Sequence, residues 1–505
     1  MIELDGSSLT LDAIARVAAG NEPVTLASSA VERVRASRAV VEKHAARGTA
    51  VYGVNTGFGA LADVAIPDHQ LADLQLNLIR SHAAGVGEPL PAPIVRVLMA
   101  LRANVLAKGF SGIRLETLNA LIALLNARVH PMVPARGSVG ASGDLAPLAH
   151  LALAVIGEGQ VLATDGTAED AAGALARAGL APVSLAAKEG LALINGTQAS
   201  TAVLACALLA AARLARAADV AAALSIEALR GSIHPFEPRV HAARPVPGQA
   251  ASAANLTALV TGSAINASHA NCGKVQDAYA LRCAPQVHGS AREAIAFARR
   301  LAEIEANAAT DNPMVFIEEG DIVSGGNFHG APIALAADTL AIGVAQLATI
   351  SERRTDRMMT PHESGLPAFL IRESGLNSGL MMAHVTAAAL TSEIKTLCHP
   401  AAVDTIPTSA GREDHVSMSM GAALKALRVV EMARDVIAIE LLAACQGVDL
   451  LAPLETSAPL GRVHREIRRE VRFLDRDRTP APDIAAISAL IASGAIERAA
   501  EVTLE

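Results

Sequence analysis

The amino-acid sequence predicts a mostly α-helical fold, and three features carry that prediction. Segments rich in Ala and Leu and poor in β-branched or aromatic residues are typical of long helices, and four of them stand out: Ser200–Leu229, Ala291–Ala308, Ile333–Glu352 and Ala422–Gln446. Near the C-terminus, apolar residues spaced by four, four and three among Arg and Glu residues predict an amphipathic surface helix, and they are Val463, Ile467, Val471 and Leu474. Pro-rich stretches interrupt the helical pattern at His234–Gln249 and Arg478–Asp483, which predicts ordered loops or caps there.

Length and composition favour a globular protein that acts on small molecules. A chain of 505 residues with 51% hydrophobic residues can bury a large core and, by size, can hold two or more domains. The formal net charge is −8 and the isoelectric point is about 6.0. Because the sequence has no long run of Lys or Arg, it offers no positive surface for nucleic acid, and a nucleic-acid partner is not expected.

Targeting and cysteine patterns predict a cytoplasmic protein without a membrane span. Residues Met1–Asp5 are acidic where a signal peptide is basic, and the longest apolar stretch, Ala199–Ala212, is too short to cross a bilayer. That stretch is therefore predicted to be a buried helix. The five cysteines are scattered without a CxxC pair, so we expect neither disulfides nor a metal site, and we expect most thiols to be reduced and buried.

The segment Gly137–Leu148, GSVGASGDLAPL, contains a tripeptide that can become a cofactor. If the backbone bends tightly, the amide nitrogen of Gly143 reaches the carbonyl carbon of Ala141. Gly143 leaves that nitrogen unhindered, Ala141 adds little bulk, and the hydroxyl of Ser142 can leave as water. Ring closure with two dehydrations gives a methylidene-imidazolone, an electrophile that no ordinary side chain supplies. On its own, Ala-Ser-Gly is a weak match, because Gly/Ser-rich segments are usually loops.

Further segments in a fixed order make the match specific, because together they extend over most of the chain. They are YGVNTGFG (52–59), LIRSHAAGVGEP (78–89), GSVGASGDLAPLAH (137–150), KEGLALINGTQ (188–198), VQDAYALRCAPQV (275–287), DNPMV (311–315), SGGNFHG (324–330), SGLNSGLM (374–381) and EDHVSM (413–418). On these segments the sequence resembles the histidine and aromatic amino-acid ammonia-lyases, and most of all their histidine branch. The resemblance implies that Ala141-Ser142-Gly143 becomes the methylidene-imidazolone (MIO) cofactor, with no external cofactor and no metal.

The resemblance also implies an architecture. Residues 1–200 are expected to form an N-terminal region that carries the MIO cofactor, and residues 201–505 a long central helical bundle with C-terminal helices. The resemblance further implies a homotetramer whose active sites are each built from several subunits. The expected partners are therefore other copies of this chain and a small amino-acid substrate.

Elimination of ammonia needs a base for a poorly acidic β-proton, and the composition narrows the choice. The chain has only two tyrosines, Tyr52 in YGVNTGFG and Tyr279 in VQDAYALR, and no tryptophan. A tyrosine more often packs in a core with its hydroxyl bonded. The resemblance instead implies that Tyr52 is the general base and that Tyr279 acts near the ring and the leaving amine. Because an ordinary tyrosine pKa is about 10, we expect a positive field, for example from helix N-termini, to lower the pKa of Tyr52.

Arg282 is predicted to anchor the substrate carboxylate, because a planar guanidinium can hold a carboxylate with two parallel hydrogen bonds. Its offset of three residues from Tyr279 places both on one face if the segment is helical. Outside a matching segment, a surface ion pair would be the commoner role for such an arginine. The resemblance assigns further contacts with the ring and the substrate to Asn195, Gln276, Asn312 and Phe328.

Two positions favour histidine as the substrate. His82 follows Ser81 in LIRSHAAG and Glu413 opens EDHVSM, as in the histidine branch, which implies a binding role for His82 and a catalytic one for Glu413. An imidazole and a carboxylate can hydrogen-bond a substrate imidazole, whereas a phenyl ring would leave both unpaired. Three departures from the usual residues of that branch bear on the substrate: Gly411-Arg412 for Asn-Gln, Gly330-Ala331 for Ala-Glu, and His288 for Met.

The resemblance therefore implies a carbon–nitrogen lyase that converts L-histidine to trans-urocanate and ammonium. Two alternatives share its chemistry: a tyrosine or phenylalanine ammonia-lyase, and a 2,3-aminomutase, which adds the ammonia back to the unsaturated acid. An alternative from another class is a catalytically inactive helical scaffold. The intact Ala141-Ser142-Gly143, Tyr52 and Arg282 argue against that scaffold.

Overall fold

The structure is a computed structural model that describes residues 1–46, 51–61, 63–163, 166–270, 272–273 and 275–505. Within this range, twenty-one α-helices account for most of the ordered backbone, and the nine β-strands are two to four residues long. The prediction of a mostly α-helical fold is thus confirmed.

The helices are numbered in the order in which they follow one another along the chain. The first eleven are α1 (Leu11–Ala19), α2 (Ser28–Ala45), α3 (Leu71–His82), α4 (Ala92–Ala107), α5 (Leu115–Asn126), α6 (Leu145–Val155), α7 (Ala171–Arg177), α8 (Glu189–Ile194), α9 (Gln198–Ala228), α10 (Pro238–Ala242) and α11 (Pro247–Val260). The others are α12 (Ala264–Ala267), α13 (Tyr279–Arg282), α14 (Ala284–Ala306), α15 (Ala331–Met359), α16 (Pro361–Ser364), α17 (Met381–Leu397), α18 (Ser419–Leu450), α19 (Ala458–Glu470), α20 (Ala481–Ser493) and α21 (Ala495–Ala500).

The strands form four small sheets. They are β1 (Ile2–Leu4), β2 (Val24–Leu26), β3 (Val86–Pro89), β4 (His130–Pro131), β5 (Pro134–Arg136), β6 (Gln160–Leu162), β7 (Ala168–Asp170), β8 (Met314–Phe316) and β9 (Asp321–Val323). Strands β1 and β2 pair in parallel, β3 pairs antiparallel with β5, the order β4-β6-β7 is antiparallel, and β8 and β9 form a hairpin. The β3–β5 pair fixes the chain immediately before Gly137, where Val86 lies opposite Arg136.

The four long predicted helices correspond to α9, α14, α15 and α18, and each begins earlier than predicted. In α14 and α15, a proline lies at the second helical residue, as Pro285 and Pro332. Proline is tolerated in the first turn, because the N–H that it lacks would have no intrahelical partner there. The Ala- and Leu-rich pattern therefore identified the helices but not their first turns.

The predicted C-terminal amphipathic helix extends too far along the chain. Helix α19 ends at Glu470, and Val471 is extended, with φ −126° and ψ 107°. Val471 and Leu474 are nevertheless buried like Val463 and Ile467. The apolar spacing identified which side chains are buried, but it did not distinguish the helix from the segment that follows.

The two Pro-rich stretches differ from each other. His234–Gln249 contains a 3-10 turn (His234–Phe236), helix α10 and the start of α11, so it is more helical than predicted. In contrast, Pro480 directly precedes α20 and caps it, as predicted.

The chain divides into two compact units. The first unit comprises residues 1–206, 298–338 and 400–424, and the second comprises residues 207–297, 339–399 and 425–505. Helix α4 is the core of the first unit, where every residue from Ile94 to Ala107 is buried. The predicted division at residues 200 and 201 falls inside α9 and stays a prediction.

Two helices of the described chain, α9 and α15, are long and apolar enough to cross a membrane by length and composition, and 67% of the most apolar window of each is buried. Core helices of folded domains have the same properties, so these two helices are weak support for a membrane span. Helix α9 is longer than the predicted apolar stretch, but most of it is buried, as predicted.

The expectation of mostly buried thiols is wrong. Cys445 is fully buried, whereas Cys272 is exposed and the other three cysteines are only partly buried. Burial raises the pKa of the Cys206 and Cys445 thiols to about 12. Cys272 follows α12 on a surface segment, where the apolar character of the thiol does not decide its position.

Candidate active site

The Ala-Ser-Gly tripeptide lies in a tight loop between β5 and α6, in the first unit. Three glycines of this loop have positive φ: 147° at Gly137, 68° at Gly140 and 75° at Gly143. A Cβ atom on Gly143 would lie 2.4 Å from the carbonyl oxygen of Gly196, a separation that no side chain tolerates. Glycine is therefore required at Gly143 for both its φ angle and its close approach to Gly196.

Asn195 holds the tripeptide from one side. Its Nδ2 donates to the carbonyl oxygen of Ser142 at 2.8 Å. The next residue, Gly196, accepts a hydrogen bond from the backbone N–H of Asp144 at 2.7 Å. The Oδ1 atom of Asn195 is buried and has no hydrogen-bond partner in the described chain, so it is free to bind a group that the structure does not contain.

Glu413 holds the serine side chain. The Ser142 hydroxyl donates to Oε1 of Glu413 at 2.7 Å. The other carboxylate oxygen, Oε2, accepts from the Thr408 hydroxyl at 2.5 Å. Thr408 and Glu413 are also joined by two backbone hydrogen bonds, which close a short loop. The carboxylate is thus oriented by Thr408 and faces the Ser142 hydroxyl.

Asp144 anchors the tripeptide loop through its carboxylate, a role that was not predicted from the sequence. Its carboxylate accepts from the Ser138 hydroxyl at 2.8 Å and from the N–H and hydroxyl of Ser200 at 2.7 and 2.8 Å. Burial raises the pKa of Asp144, and these hydrogen bonds oppose that effect. The signal available in the sequence was an Asp directly before the apolar run of α6, the usual position of a helix N-cap.

Tyr52 lies near Glu413, but its titration differs from the prediction. Its hydroxyl accepts a hydrogen bond from the N–H of Gly59 at 3.4 Å, and its ring packs edge-to-face on Phe58, with the ring centres 6.3 Å apart. Burial raises the pKa of Tyr52, the negative charge of Glu413 raises it further, and the Gly59 hydrogen bond only partly opposes them. The expectation that the field around Tyr52 lowers its pKa is therefore wrong for the single chain.

His82 is the last residue of α3, and its tautomer follows from its contacts. Its Nδ1 lies 2.9 Å from the carbonyl oxygen of Leu78, which can only accept, so Nδ1 carries the proton in the neutral ring. Burial lowers the pKa of His82, while the Leu78 bond and the charge of Glu413 raise it less. Its Nε2 is left as a hydrogen-bond acceptor.

Asn312 and Phe328 belong to neighbouring loops of the first unit. The Oδ1 of Asn312 accepts from the N–H of Gly325 at 2.8 Å, which ties the DNPMV segment to SGGNFHG. Phe328 is half-buried in that second segment. The same segment reaches the tripeptide loop through Gly330, whose N–H donates to the carbonyl oxygen of Gly140 at 3.4 Å.

The remaining predicted site residues lie in the second unit. Tyr279 and Arg282 form the single turn of α13, and the guanidinium carbon of Arg282 lies 4.6 Å from the centre of the Tyr279 ring. The helical turn that their spacing requires is therefore present. Arg282 and Gln276 line a cavity of about 750 Å³ formed by residues of the second unit. The Nε of Arg282 is buried and has no partner in the described chain.

The three departures occupy different environments. Arg412 pairs with Asp63 at 3.5 Å on the surface, and Ala331 is the exposed first residue of α15. Beside Ala331, a Cβ on Gly330 would lie 2.4 Å from the Ser419 hydroxyl. His288 is fully buried in the second unit, where its Nδ1 lies 2.6 Å from Asp219. The contacts of His288 and Gly330 explain those two residues, and nothing in the described part of the chain explains Ala331.

Comparison with known proteins identifies the family of this chain. Residues 9–469 match the family model described as aromatic amino acid lyase. The chain belongs to the aromatic amino acid lyase family. It is therefore a carbon–nitrogen lyase, and the resemblance inferred from its sequence segments is confirmed.

Several members of this family match nearly the full length of this chain. A histidine ammonia-lyase from Anaeromyxobacter sp. (strain K) is 57% identical over 502 residues, which are 98% of this chain and 99% of the relative. The crystal structure of histidine ammonia-lyase from Trypanosoma cruzi superimposes with a TM-score of 0.91 at 48% identity, over 99% of this chain and 95% of that one. A tyrosine aminomutase from Streptomyces globisporus superimposes with a TM-score of 0.95 at 37% identity and complete coverage of both chains.

Proposed function

We propose that this aromatic amino acid lyase eliminates ammonia from L-histidine to give trans-urocanate, and that Ala141-Ser142-Gly143 supplies its electrophile. The observation that carries the proposal is the position of Ser142 between Asn195 and Glu413, at 2.8 and 2.7 Å. The identity of 57% with a histidine ammonia-lyase over nearly the full length of both chains favours histidine over the aromatic substrates.

The residues around the tripeptide fit an MIO group. The bend at Gly143 allows the approach of its nitrogen to Ala141, and the unpartnered Oδ1 of Asn195 provides a buried acceptor beside the future ring. Glu413 accepts a hydrogen bond from the hydroxyl that ring formation removes. Once formed, the ring would supply an electrophilic carbon that turns the substrate amine into a better leaving group.

The side chain of the substrate is recognised by His82 and Glu413. The Nε2 of neutral His82 can accept from a substrate N–H, and burial, which lowers the pKa of His82, favours that neutral ring. After Ser142 has lost its hydroxyl, Glu413 can accept from the second N–H of a protonated substrate imidazole, in which both ring nitrogens are donors. Phenylalanine offers neither donor, so both groups would be desolvated without a partner.

Tyr52 is proposed to take the β-proton, and Arg282 to bind the substrate carboxylate, with Tyr279 and Gln276 beside it. The Nε of Arg282, unpartnered in the described chain, supports the assignment, because a bound carboxylate would satisfy it. Asn312 and Phe328 would support the ring from their own loops. Tyr52 then needs a positive field from outside its own surroundings, since burial and Glu413 both raise its pKa.

Other copies of this chain are the proposed source of that field. We propose a homotetramer in which each site combines Ser142 of one copy with Arg282 of another. The unpartnered Nε of Arg282 in the described chain and the raised pKa of Tyr52 in the single chain support this arrangement, because each needs a further contact. A cytoplasmic location is proposed as well, in keeping with scattered cysteines that form no CxxC pair and with relatives named as histidine ammonia-lyases.

A comparison of substrates tests the proposal. Purified protein is incubated separately with histidine, tyrosine and phenylalanine, and the ultraviolet absorption of each unsaturated acid is followed. We expect histidine to be preferred by about ten- to several thousand-fold, because each unpaired buried group costs about 1–3 kcal/mol. His82→Leu combined with Glu413→Gln should narrow this gap by lowering histidine turnover first. Preference for tyrosine or phenylalanine in the unaltered protein would contradict the substrate assignment.

A further inference from the structure

The buried core helix of the first unit carries an arginine without exposed surface. Arg102, on α4, is 0% exposed. Burial lowers its pKa to about 10, so the guanidinium is still charged at neutral pH. Because moving a charge from water into a protein interior is costly, its hydrogen bonds have to compensate.

The guanidinium binds the C-terminal end of α8. Its Nε donates to the carbonyl oxygen of Ala192 at 3.1 Å, Nη2 donates to the same oxygen, and Nη1 donates to the carbonyl oxygen of Asn195 at 2.8 Å. Nη1 also donates to Oε1 of Gln198 at 2.7 Å, and Nε2 of Gln198 donates to Thr310 at 2.5 Å. Carbonyls at a helix end lack intrahelical partners and favour a nearby cation, so this contact fixes the chain where α8 ends.

The chain that Arg102 fixes is the chain that contacts the tripeptide. On one side, a Cβ on Gly196 would lie 2.4 Å from Nη1 of Arg102. On the other side, the carbonyl oxygen of Gly196 accepts from Asp144, and a Cβ on Gly143 would lie 2.4 Å from that oxygen. Asn195 and Gly196 are thus held between the guanidinium and the tripeptide.

We propose that Arg102 is a positioning residue for ring formation: by fixing Asn195 and Gly196, it holds the tripeptide in the bend that brings the Gly143 nitrogen to the Ala141 carbonyl carbon. This inference rests on the proposed function, since it requires that the ring forms. The bond formed joins Gly143 N to Ala141 C. The Ala141 oxygen combines with the amide hydrogens of Gly143 and Ser142 and leaves as one water. The Ser142 hydroxyl combines with the hydrogen on the Ser142 Cα and leaves as the second water. No oxidant or reductant is needed.

Arg96 provides a matched control on the same helix. It is 6% exposed, and it also donates to helix-end carbonyls, from Nε to Val17 at 2.8 Å and from Nη1 to Leu125 at 3.2 Å. Neither carbonyl belongs to the α8 end. Replacement of Arg96 by Lys therefore causes a similar loss of buried hydrogen bonds without disturbing Asn195 and Gly196.

The experiment compares intact masses of folded, purified protein for the unaltered chain, Arg102→Lys and Arg96→Lys. A lysine keeps the charge, but its compact ammonium cannot reproduce the planar fork that spans the Ala192 and Asn195 carbonyls and the Gln198 amide. We expect the unaltered chain and Arg96→Lys to lack two waters relative to the sequence, and most Arg102→Lys molecules to retain both. Thermal unfolding of the two variants is measured in parallel, so that a general loss of stability is separated from a loss of ring formation.

The possible outcomes separate the role of Arg102 from the assignment of the cofactor. If the unaltered chain has its full sequence mass, the proposed cofactor is wrong. If it lacks two waters and Arg102→Lys lacks them equally, only the role of Arg102 is wrong. If Arg102→Lys does not fold, Gly196→Ala takes its place: its Cβ would displace the same segment while Arg102 is kept, and complete water loss in that variant would overturn the proposal.

Discussion

At the scale of single residues, Tyr52 presents the clearest conflict between role and environment. Its hydroxyl is proposed to remove the β-proton, yet burial and Glu413 raise its pKa in the single chain. Tyr52→Phe should lower kcat by about 10²–10⁴-fold, the usual contribution of general acid–base catalysis, with little change in KM. Steady-state kinetics with histidine measures both constants. Near-normal turnover of the Phe variant would remove Tyr52 as the base.

The raised pKa of Tyr52 also has a consequence for the pH profile. A tyrosine whose pKa stays above its usual range is protonated at neutral pH, so kcat should keep rising into the alkaline range. If other copies of the chain supply a positive field, the rise should instead level off closer to neutrality. A profile of kcat against pH for the assembled enzyme distinguishes the two cases.

Arg282 is expected to affect binding and turnover together. Arg282→Lys replaces a planar fork by a point charge, so KM should rise and kcat should fall. Arg230 lines the same cavity and donates to the carbonyl oxygen of Ser364, so Arg230→Lys is the matched control and should change neither constant strongly. Equal effects of the two substitutions on histidine kinetics would argue against Arg282 as the carboxylate anchor.

At the scale of elements, the short loop 408–413 determines how Glu413 is presented. Ser409, Ala410 and Gly411 all have positive φ, so the loop turns within a few residues and returns Glu413 to Thr408. The departure at Gly411 is compatible with this turn, because glycine adopts a positive φ without strain. The Thr408 hydroxyl then fixes the carboxylate.

Removal of that hydroxyl should weaken recognition of histidine without preventing ring formation. A hydrogen bond to a charged group contributes about 1.5–3 kcal/mol, so Thr408→Val should lower kcat/KM for histidine by about tenfold or more. The loss of two waters should be complete. Thr405→Val removes a hydroxyl that accepts from Val416 in the same region and serves as the control. Unchanged kinetics in Thr408→Val would show that Glu413 is oriented by other contacts.

Helices α9, α14, α15 and α18 share a buried polar network that explains His288. Its Nδ1–H donates to Asp219, and its Nε2 accepts from Arg354, which requires a neutral ring. Asp219 also accepts from Arg292, and the pKa of Asp219 is lowered to about 2 by His288 and Arg292 in spite of burial. Burial lowers the pKa of His288 as well, so the folded chain resists its protonation.

The stability of the protein should therefore depend on His288 in a pH-dependent way. In the unfolded chain His288 takes up a proton as the pH falls below about 6.5, while the folded chain does not, so stability is lost as the pH falls from there. His288→Met removes a buried hydrogen bond, at a cost of about 1–3 kcal/mol near pH 8. The difference in melting temperature between the two proteins should shrink towards pH 5. A constant difference across this range would contradict the neutral assignment.

At the scale of the whole molecule, the proposed sharing of sites between copies can be tested by complementation. Ser142→Ala should abolish, and Arg282→Lys should strongly lower, the activity of the sites that contain them. If each site draws these residues from different copies, mixed tetramers contain some sites with neither change. Co-expression of the two variants should restore part of the activity, whereas a chain with both changes should restore none when mixed with either. Absence of recovery in a mixed assembly of confirmed size would contradict shared sites.

Much of this architecture could be predicted from the sequence. Particular residues show which contacts could not be predicted. The tripeptide, His82 and Glu413 were identified because each belongs to a local string with its own chemistry. The contacts of Asn195 with Ser142 and of Thr408 with Glu413 depend on where distant segments meet, which no local pattern encodes. Arg102 stands between Leu101 and Ala103 in a largely apolar segment, so nothing there indicates that its guanidinium holds the α8 end. The raised pKa of Tyr52 likewise depends on burial, which the sequence does not give.

The central claim is that this chain releases ammonia from L-histidine, and the product balance tests it most directly. Purified protein is incubated with L-histidine, and trans-urocanate, ammonium and β-amino acid are quantified over the reaction. The account predicts equal amounts of trans-urocanate and ammonium, no β-histidine, and no product with Ser142→Ala. Accumulation of β-histidine would instead identify an aminomutase, and an absence of reaction in protein that has lost two waters would contradict histidine as the substrate.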